Sequence, residues 1–295
     1  MSTDSALSTM TSLARRARRA GVRMLSSVEA HTGFAGGFPG RHDAVLMYHA
    51  VGSPERFGNV SVERLRRDLE YLTSRFEVVD LESLTDPADE KRVAVTFDDA
   101  CTSFYEHALP LFREFGVPVT VFVPVGFVDG GNSRLDYRFV LSPTETHRFN
   151  DPDAHRDTPV DAIDVMTAAR IGELADEPLV ALGNHTRTHP DLKTVTDRET
   201  LKREIVGAKR ELETRFGVTV DRFSFPFGRY TPAALSVVRD SHSVAVTARH
   251  GLVDAEADPH LLPRLHTHLP EARLHVDLTD ARWWPRRRFA RALSA

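Results

Sequence analysis

The stretch Val93-Ala94-Val95-Thr96-Phe97-Asp98-Asp99 is a short apolar run that ends in two carboxylates. Five β-branched, small and aromatic residues in a row predict a buried strand. Successive side chains on extended backbone alternate sides, so Asp98 and Asp99 point in different directions. One carboxylate can hold a metal while its neighbour faces a water or a substrate. A polar loop or a helix cap built on Asp is the plain alternative, and this segment alone does not decide between them.

Reading outward, the same grammar recurs. Ala44 to Tyr48 is another apolar run, ending at His49. Ser61 is an N-cap candidate, with Leu65, Leu69 and Leu72 at helical spacing behind it as far as Arg75. Phe76 to Leu81 predicts a strand. Phe104 to Phe115 predicts a helix stopped by Gly116, and Val119 to Val123 the strand after it. The polar stretch from Asp129 to Pro159 reads as a long insertion loop, the kind that carries substrate contacts. Asp161 to Leu174 predicts a helix and Leu179 to Leu182 a strand. Thr196 with Glu199 forms a capping box that opens a helix to Phe216, with Leu201, Ile205, Ala208 and Leu212 facing inward. Arg222 to Phe225, Ser243 to Thr247 and Leu262 to Leu265 supply further strands.

Strand and helix therefore alternate about seven times, which calls for a parallel sheet wrapped by helices, closed as a barrel or open and doubly wound. His49, Asp98, Asp99, His185 and Phe227 all sit just after strands. A barrel converges such positions on one face, whereas an open sheet spreads them, so a single-domain, distorted (β/α)7-type barrel of parallel strands is expected.

The whole-chain quantities exclude several classes. With 41% hydrophobic and 27% charged residues the chain has the balance of a globular protein. A net charge of −4 argues against a general nucleic-acid binder. Cys101, the single cysteine, rules out intrachain disulfides and thiolate zinc clusters, and reads as a small buried hydrophobe rather than a reactive thiol. No apolar run reaches the roughly 18 residues of a membrane span. Arg15, Arg16, Arg18, Arg19 and Arg23 lack the apolar run of a secretory signal, so a cytoplasmic location is expected. Met10, Leu13, Ala17, Ala20 and Met24 lie at helical spacing opposite those arginines. Trp283, Trp284, Arg286, Arg287, Arg288 and Phe289 repeat the aromatic and basic theme. Both ends suit peripheral attachment to an anionic inner membrane face, or a solvated helix and tail.

Gly183-Asn184-His185-Thr186-Arg187-Thr188-His189-Pro190 carries two histidines four apart, able to chelate one cation through neutral imidazoles. A zincin needs Glu directly after the first His, and Thr186 stands there. A strand-end Asp would complete a two-His, one-carboxylate set with open positions, suited to Zn²⁺ or another first-row divalent ion.

Together, Thr96-Phe97-Asp98-Asp99, His185-Thr186-Arg187-Thr188-His189 and Phe225-Pro226-Phe227-Gly228 resemble the signatures of the polysaccharide deacetylase family (NodB homology, carbohydrate esterase family 4), in the family's order. The resemblance spans about residues 44–269. It implies a NodB-like deacetylase barrel over 43–269 with a loop insertion at about 129–160, flanked by a basic amphipathic extension over 1–42 and a tail over 270–295. It implies Asp98 as general base, Asp99, His185 and His189 as ligands of one divalent ion (Zn²⁺, or Co²⁺, Ni²⁺ or another first-row ion), and the Phe227 backbone N–H as an oxyanion donor. It further implies deacetylation of an N-acetylated sugar in a polysaccharide, oligosaccharide or glycolipid.

Two departures follow. Leu265-His266-Thr267-His268 resembles the family's late Leu-x-His motif only loosely, while Leu46-Met47-Tyr48-His49 resembles a branch in which the acid comes from an early strand; His49 is thus favoured as general acid over His268 or His266. The arginine that usually precedes the Pro–aromatic pair is absent from Phe223-Ser224-Phe225-Pro226. Leu262-Pro263-Arg264 resembles a substitute, which makes Arg264 the expected partner of Asp98. A surface arginine is the plain alternative. A deacylase of a non-sugar amide or O-acetyl ester, and a catalytically silent carbohydrate-binding protein, are the competing functions.

Overall fold

In the computed structural model of the chain, residues 20–33, 35, 42–52, 59–128, 134–136 and 162–279 are described. They fall into two compact units: His42–His268, and the described residues on either side of it.

The larger unit is a parallel barrel. Its strands are β1 (Ala44–Tyr48), β2 (Glu77–Val79), β3 (Arg92–Phe97), β4 (Val119–Val123), β7 (Val180–Asn184), β8 (Arg222–Ser224), β9 (Val244–His250) and β10 (Leu262–His266); a separate two-stranded ribbon is formed by β5 (Arg134–Asp136) and β6 (Ala162–Asp164). The barrel order is β1-β10-β9-β8-β7-β4-β3, and it closes because β1 also pairs with β3 in register from Ala44↔Val93 to Tyr48↔Phe97. With β1 along one edge of β3, the other edge is shared: β2 takes Arg92 to Ala94, and β4 takes Thr96 and Phe97. Seven strands make the wall, and β2 is a short eighth at its lower rim. An open sheet is ruled out.

Strand alternation sorts the residues. On β3, Ala94 belongs to the interior cluster with Val45, Phe122, Val244, Val246 and Leu262. On β8, Phe223 packs outward with Ile205, Val237 and Val238 beneath the helices. Counting in twos along each strand, His49 continues the inward series of Val45, Asp98 that of Ala94, and Arg264 that of Leu262. The polar side chains thus collect in one chamber at the C-terminal mouth.

The surrounding helices are α2 (Val62–Thr73), α3 (Leu109–Phe115), α4 (Ala168–Ala175), α5 (Arg198–Lys202), α6 (Ala208–Phe216) and α7 (Pro232–Arg239). Ser61 caps α2 through the Arg64 N–H, and Leu65, Leu69 and Leu72 are fully buried, worth about 2 kcal/mol each. Gly116 ends α3 in the left-handed conformation, where a side chain would be strained. Leu201, Ile205, Ala208 and Leu212 all lie in the core.

Three local expectations are corrected. Asp161 to Leu174 is not one helix: Ala162–Asp164 pairs antiparallel with Arg134–Asp136, and the helix starts only after Thr167, whose hydroxyl accepts the Arg170 N–H. The stretch expected as a bare insertion loop therefore contains one strand, and its remaining residues, 129–133 and 137–160, lie outside the described ones. The Thr196–Glu199 capping box is replaced by Asp197, whose carboxylate accepts the Thr200 N–H. A charged acceptor complements the helix dipole better than a hydroxyl. Finally, the helix running to Phe216 carries a π turn over Arg203–Gly207 between α5 and α6.

In the smaller unit, α1 (20–32) and α8 (Glu271–Leu278) are described. Glu29 is buried and meets the His275 ring at 3.2 Å. Met24 is largely exposed. Met10, Leu13, Ala17 and the arginines of the N-terminal amphipathic stretch, apart from Arg23, lie outside the described residues, as does the Trp283 to Phe289 tail. No described helix is long and apolar enough to cross a membrane.

Candidate active site

Asp98 leaves the end of β3 facing inward, and Arg264 faces it from β10. Their pairing is bidentate, with Nη1 and Nη2 each donating to one carboxylate oxygen at 2.7 Å. The pair is almost sealed, with 3% of Asp98 and 1% of Arg264 exposed. The remaining donors of the guanidinium are also used: Nε on the Thr247 carbonyl, Nη1 on Thr96 Oγ1 and Nη2 on Ser224 Oγ. Five donors in a planar fork explain why an arginine stands here and a lysine would not serve. Burial pushes the Asp98 carboxyl up, but the Arg264 charge, aided by His185, outweighs it and holds the group well below the usual carboxylate range. Asp98 is therefore ionised at every physiological pH. Pro263 has no N–H to give the ladder, and the β9–β10 register shifts there, between Leu262 and Arg264.

Asp99 turns away from Asp98 because its backbone is left-handed (φ 72°). Its Oδ1 lies 3.4 Å from His185 Nε2 and 3.4 Å from His189 Nε2, while the two ring nitrogens are 3.2 Å apart. The three atoms fit one cation. Bonds of about 2.0–2.1 Å in a tetrahedral zinc site place ligand atoms about 3.3 Å from one another. Asp99 Oδ1 is buried and accepts no hydrogen bond, an orphan that a cation would satisfy. His185 Nδ1 donates to the Ser224 carbonyl at 2.8 Å, which leaves the Nε2 lone pair aimed at Asp99 and His189. Burial pushes His185 down, but Asp99 and Asp98 outweigh it and raise the imidazole; burial and the charge of His185 push His189 down to about 4. Among the described residues this is the one His/Cys/Asp/Glu cluster with metal-ligand spacing.

His49 follows β1 at the same mouth, within electrostatic reach of Asp98, Asp99, His189 and His268. His266 Nε2 is engaged by the Ala248 carbonyl at 3.0 Å, and burial with the His250 charge pushes its imidazole down to about 3. Burial with the His49 charge brings His268 to about 4. Both are neutral near neutral pH. Phe227 adopts φ 57°, ψ 7°, and its ring meets His189 edge-on at 4.8 Å. The turn is possible because Gly228 follows: a Cβ there would stand 2.4 Å from the Ala248 nitrogen.

The described non-glycine residues with positive φ are Asp99, Thr186, His189 and Phe227, within the three motif segments, and Ala100, directly after the first of them. Such conformations cost about 1–3 kcal/mol each and persist where the surroundings over-determine them. Cys101 lies buried behind the carboxylates, and burial, then Asp99 and Asp98, push its thiol well up. It is an inert core residue. Sequence reading missed Thr96, Ser224 and Thr247 as the cradle of Arg264. Hydroxyls and a carbonyl on three different strands carry no motif.

The sequence model of the polysaccharide deacetylase family matches residues 85–244, more than half of the chain. YxkH of Bacillus subtilis (strain 168), a protein that carries the name of a polysaccharide deacetylase, is 21% identical over 229 residues, covering 75% of this chain and 70% of its own. Among solved structures, IcaB from Ammonifex degensii superposes with a TM-score of 0.65 at 20% identity, over 81% of this chain and 96% of that one. A de-N-acetylase from Aggregatibacter actinomycetemcomitans gives a TM-score of 0.62 at 14% identity, over 79% and 98% of the two chains. At these identities the superpositions speak for the fold.

Proposed function

From a chain that belongs to the polysaccharide deacetylase family of hydrolases, we propose a metal-dependent enzyme that hydrolyses the acetamide of an N-acetylated sugar, in an oligosaccharide, a polysaccharide or a glycolipid. The observation that carries the reading is the placement of a sealed, ionised carboxylate, Asp98, beside the Asp99, His185 and His189 trio at one barrel mouth. A divalent ion held by that trio would supply Lewis acidity toward a carbonyl oxygen and acidify a water.

The chain's own residues do the rest. The Asp98 carboxylate takes a proton from the attacking water as its oxygen bonds to the acetyl carbon. Arg264 keeps Asp98 ionised and aimed. The carbonyl electron pair moves onto oxygen, where the Phe227 backbone N–H donates to the developing charge. On collapse the C–N bond breaks, and the amine departs with a proton delivered by His49, which lies outside the trio and within electrostatic reach of both carboxylates. The products are acetate and a free amine.

The test is turnover of N-acetylglucosamine oligomers and lipid-linked N-acetyl sugars, with acetate and free amine measured together. Equal release of both, lost in Asp98→Asn and in chelator-treated protein, and restored by Zn²⁺ or Co²⁺, supports the reading. Acetate without amine would indicate an ester substrate, and activity indifferent to the chelator would overturn the metal dependence.

A further inference from the structure

The backbone N–H groups of the segment that joins the two histidines of the trio are taken up by side chains that are not metal ligands. Four backbone N–H groups lie in Thr186 to His189, and each has a side-chain acceptor. Thr186 N–H goes to Asn184 Oδ1 at 2.9 Å, and His189 N–H to Thr186 Oγ1 at 3.0 Å. Arg187 and Thr188 N–H both go to Glu204 Oε2, at 3.2 and 2.8 Å, while Thr188 Oγ1 donates to Glu204 Oε1 at 2.9 Å. Glu204 is a buried carboxylate with no basic partner in that set; backbone N–H groups do its neutralising.

Glu204 reaches the segment from the π turn over Arg203–Gly207. The same turn presents the Ile205 carbonyl to Asn184 Nδ2 at 2.8 Å. Partners on both ends of its amide fix the orientation of Asn184: Oδ1 toward the Thr186 N–H, Nδ2 toward Ile205. Nδ2 therefore also donates to His242 Nε2, 3.1 Å away, which must be a bare acceptor. His242 Nδ1–H then donates to Ser241 Oγ at 2.9 Å, and that hydroxyl donates to the Val237 carbonyl at 2.7 Å. The His242 ring lies against Phe223 in the layer between barrel and helices. π turns gather at functional sites because the widened turn presents groups that a regular helix would bury in its own ladder.

We propose that Glu204, Asn184 and His242 are positioning residues that hold the left-handed Thr186 and His189, at φ 65° and 54°, so that His185 and His189 meet one divalent ion. The proposal rests on the metal reading above and extends it to residues that touch neither metal nor substrate. Outer partners of this kind are typically worth 10–100-fold in metal affinity.

The experiment is Zn²⁺ affinity of chelator-stripped full-length protein, by competition with a chromophoric chelator, together with the visible spectrum of the Co²⁺-loaded protein. Glu204→Met and His242→Phe are expected to weaken Zn²⁺ binding at least tenfold and to change the Co²⁺ band intensity. Glu204→Gln and His242→Gln, which keep an acceptor in place, are expected to recover most of the affinity. Metal-free thermal unfolding is run alongside, since a merely structural role would lower Tm and leave affinity and spectrum unchanged. Should Glu204→Met fail to fold, His242→Phe and the two glutamine variants carry the comparison. Wild type that binds no Zn²⁺ would sink the metal reading and this inference with it. Wild type that binds, with Glu204→Met or His242→Phe binding as tightly, would overturn this inference alone.

Discussion

Replacing Arg264 with Met removes five hydrogen bonds and the counter-charge of Asp98 while keeping an unbranched apolar stem in the barrel. Breaking a buried ion pair from one side costs about 3–5 kcal/mol, because the partner is left as an uncompensated charge. For a protein of this size each kcal/mol lowers Tm by about 2–4 °C, so Arg264→Met should lose about 6–20 °C at pH 7. The pH dependence gives the sharper test. In wild type the folded Asp98 pKa lies below its unfolded value, so the pair stabilises above about pH 4 and that contribution is lost as pH falls. In the variant burial acts unopposed by Arg264 and raises the folded pKa, so ionised Asp98 destabilises at neutral pH and protonation relieves it on acidification. The Tm gap between wild type and Arg264→Met should therefore shrink between pH 7 and pH 4.5. The acid limb of the activity profile should move up in parallel, and Arg264→Lys should restore the charge without the fork. A gap of the same size at both pH values, or a loss below about 1 kcal/mol, would refute the idea that Arg264 keeps Asp98 ionised.

Further outcomes follow from the same geometry. His185→Ala should abolish stoichiometric Zn²⁺ binding, measured by metal analysis after gel filtration, while leaving far-ultraviolet circular dichroism unchanged. Gly228→Ala should destabilise by more than about 1 kcal/mol in a denaturant titration, since the position combines φ 64° with a Cβ 2.4 Å from the Ala248 nitrogen. His242, His266 and His268, pushed down to about 3, 3 and 4, are neutral when folded and bind protons when unfolded. Stability should consequently fall as pH drops below about 6.5, by about 1.4 kcal/mol per pH unit for each, and His242→Phe should flatten that slope. Cys101 should resist thiol reagents in the native protein and react only on unfolding; rapid native labelling would contradict its burial.

Local patterning along the chain is enough to specify the barrel's repeating unit and the inventory of its chemistry. Apolar runs such as Ala44 to Tyr48 and Val93 to Phe97 are strands because their residues suit a pleated, fully buried ladder, and their reactive residues follow at the ends because strand ends are where the chain leaves the core. Ser61 and Gly116 were legible for the same local reason: a cap and a left-handed stop act within a few residues. The failures were also local choices settled from far away. Ala162–Asp164 is a strand because Arg134–Asp136 supplies the partner, and nothing within 161–174 encodes that. The tertiary structure supplied how the expected barrel closes, through β1 pairing with both β3 and β10, and the bidentate geometry in which the expected Arg264–Asp98 pair meets across 166 positions of chain. It alone revealed Glu204, Asn184 and His242 behind the two histidines. A side chain that supports a ligand through hydrogen bonds to backbone needs no particular spacing from it, so its role is written in the packing of the layers and not in any motif.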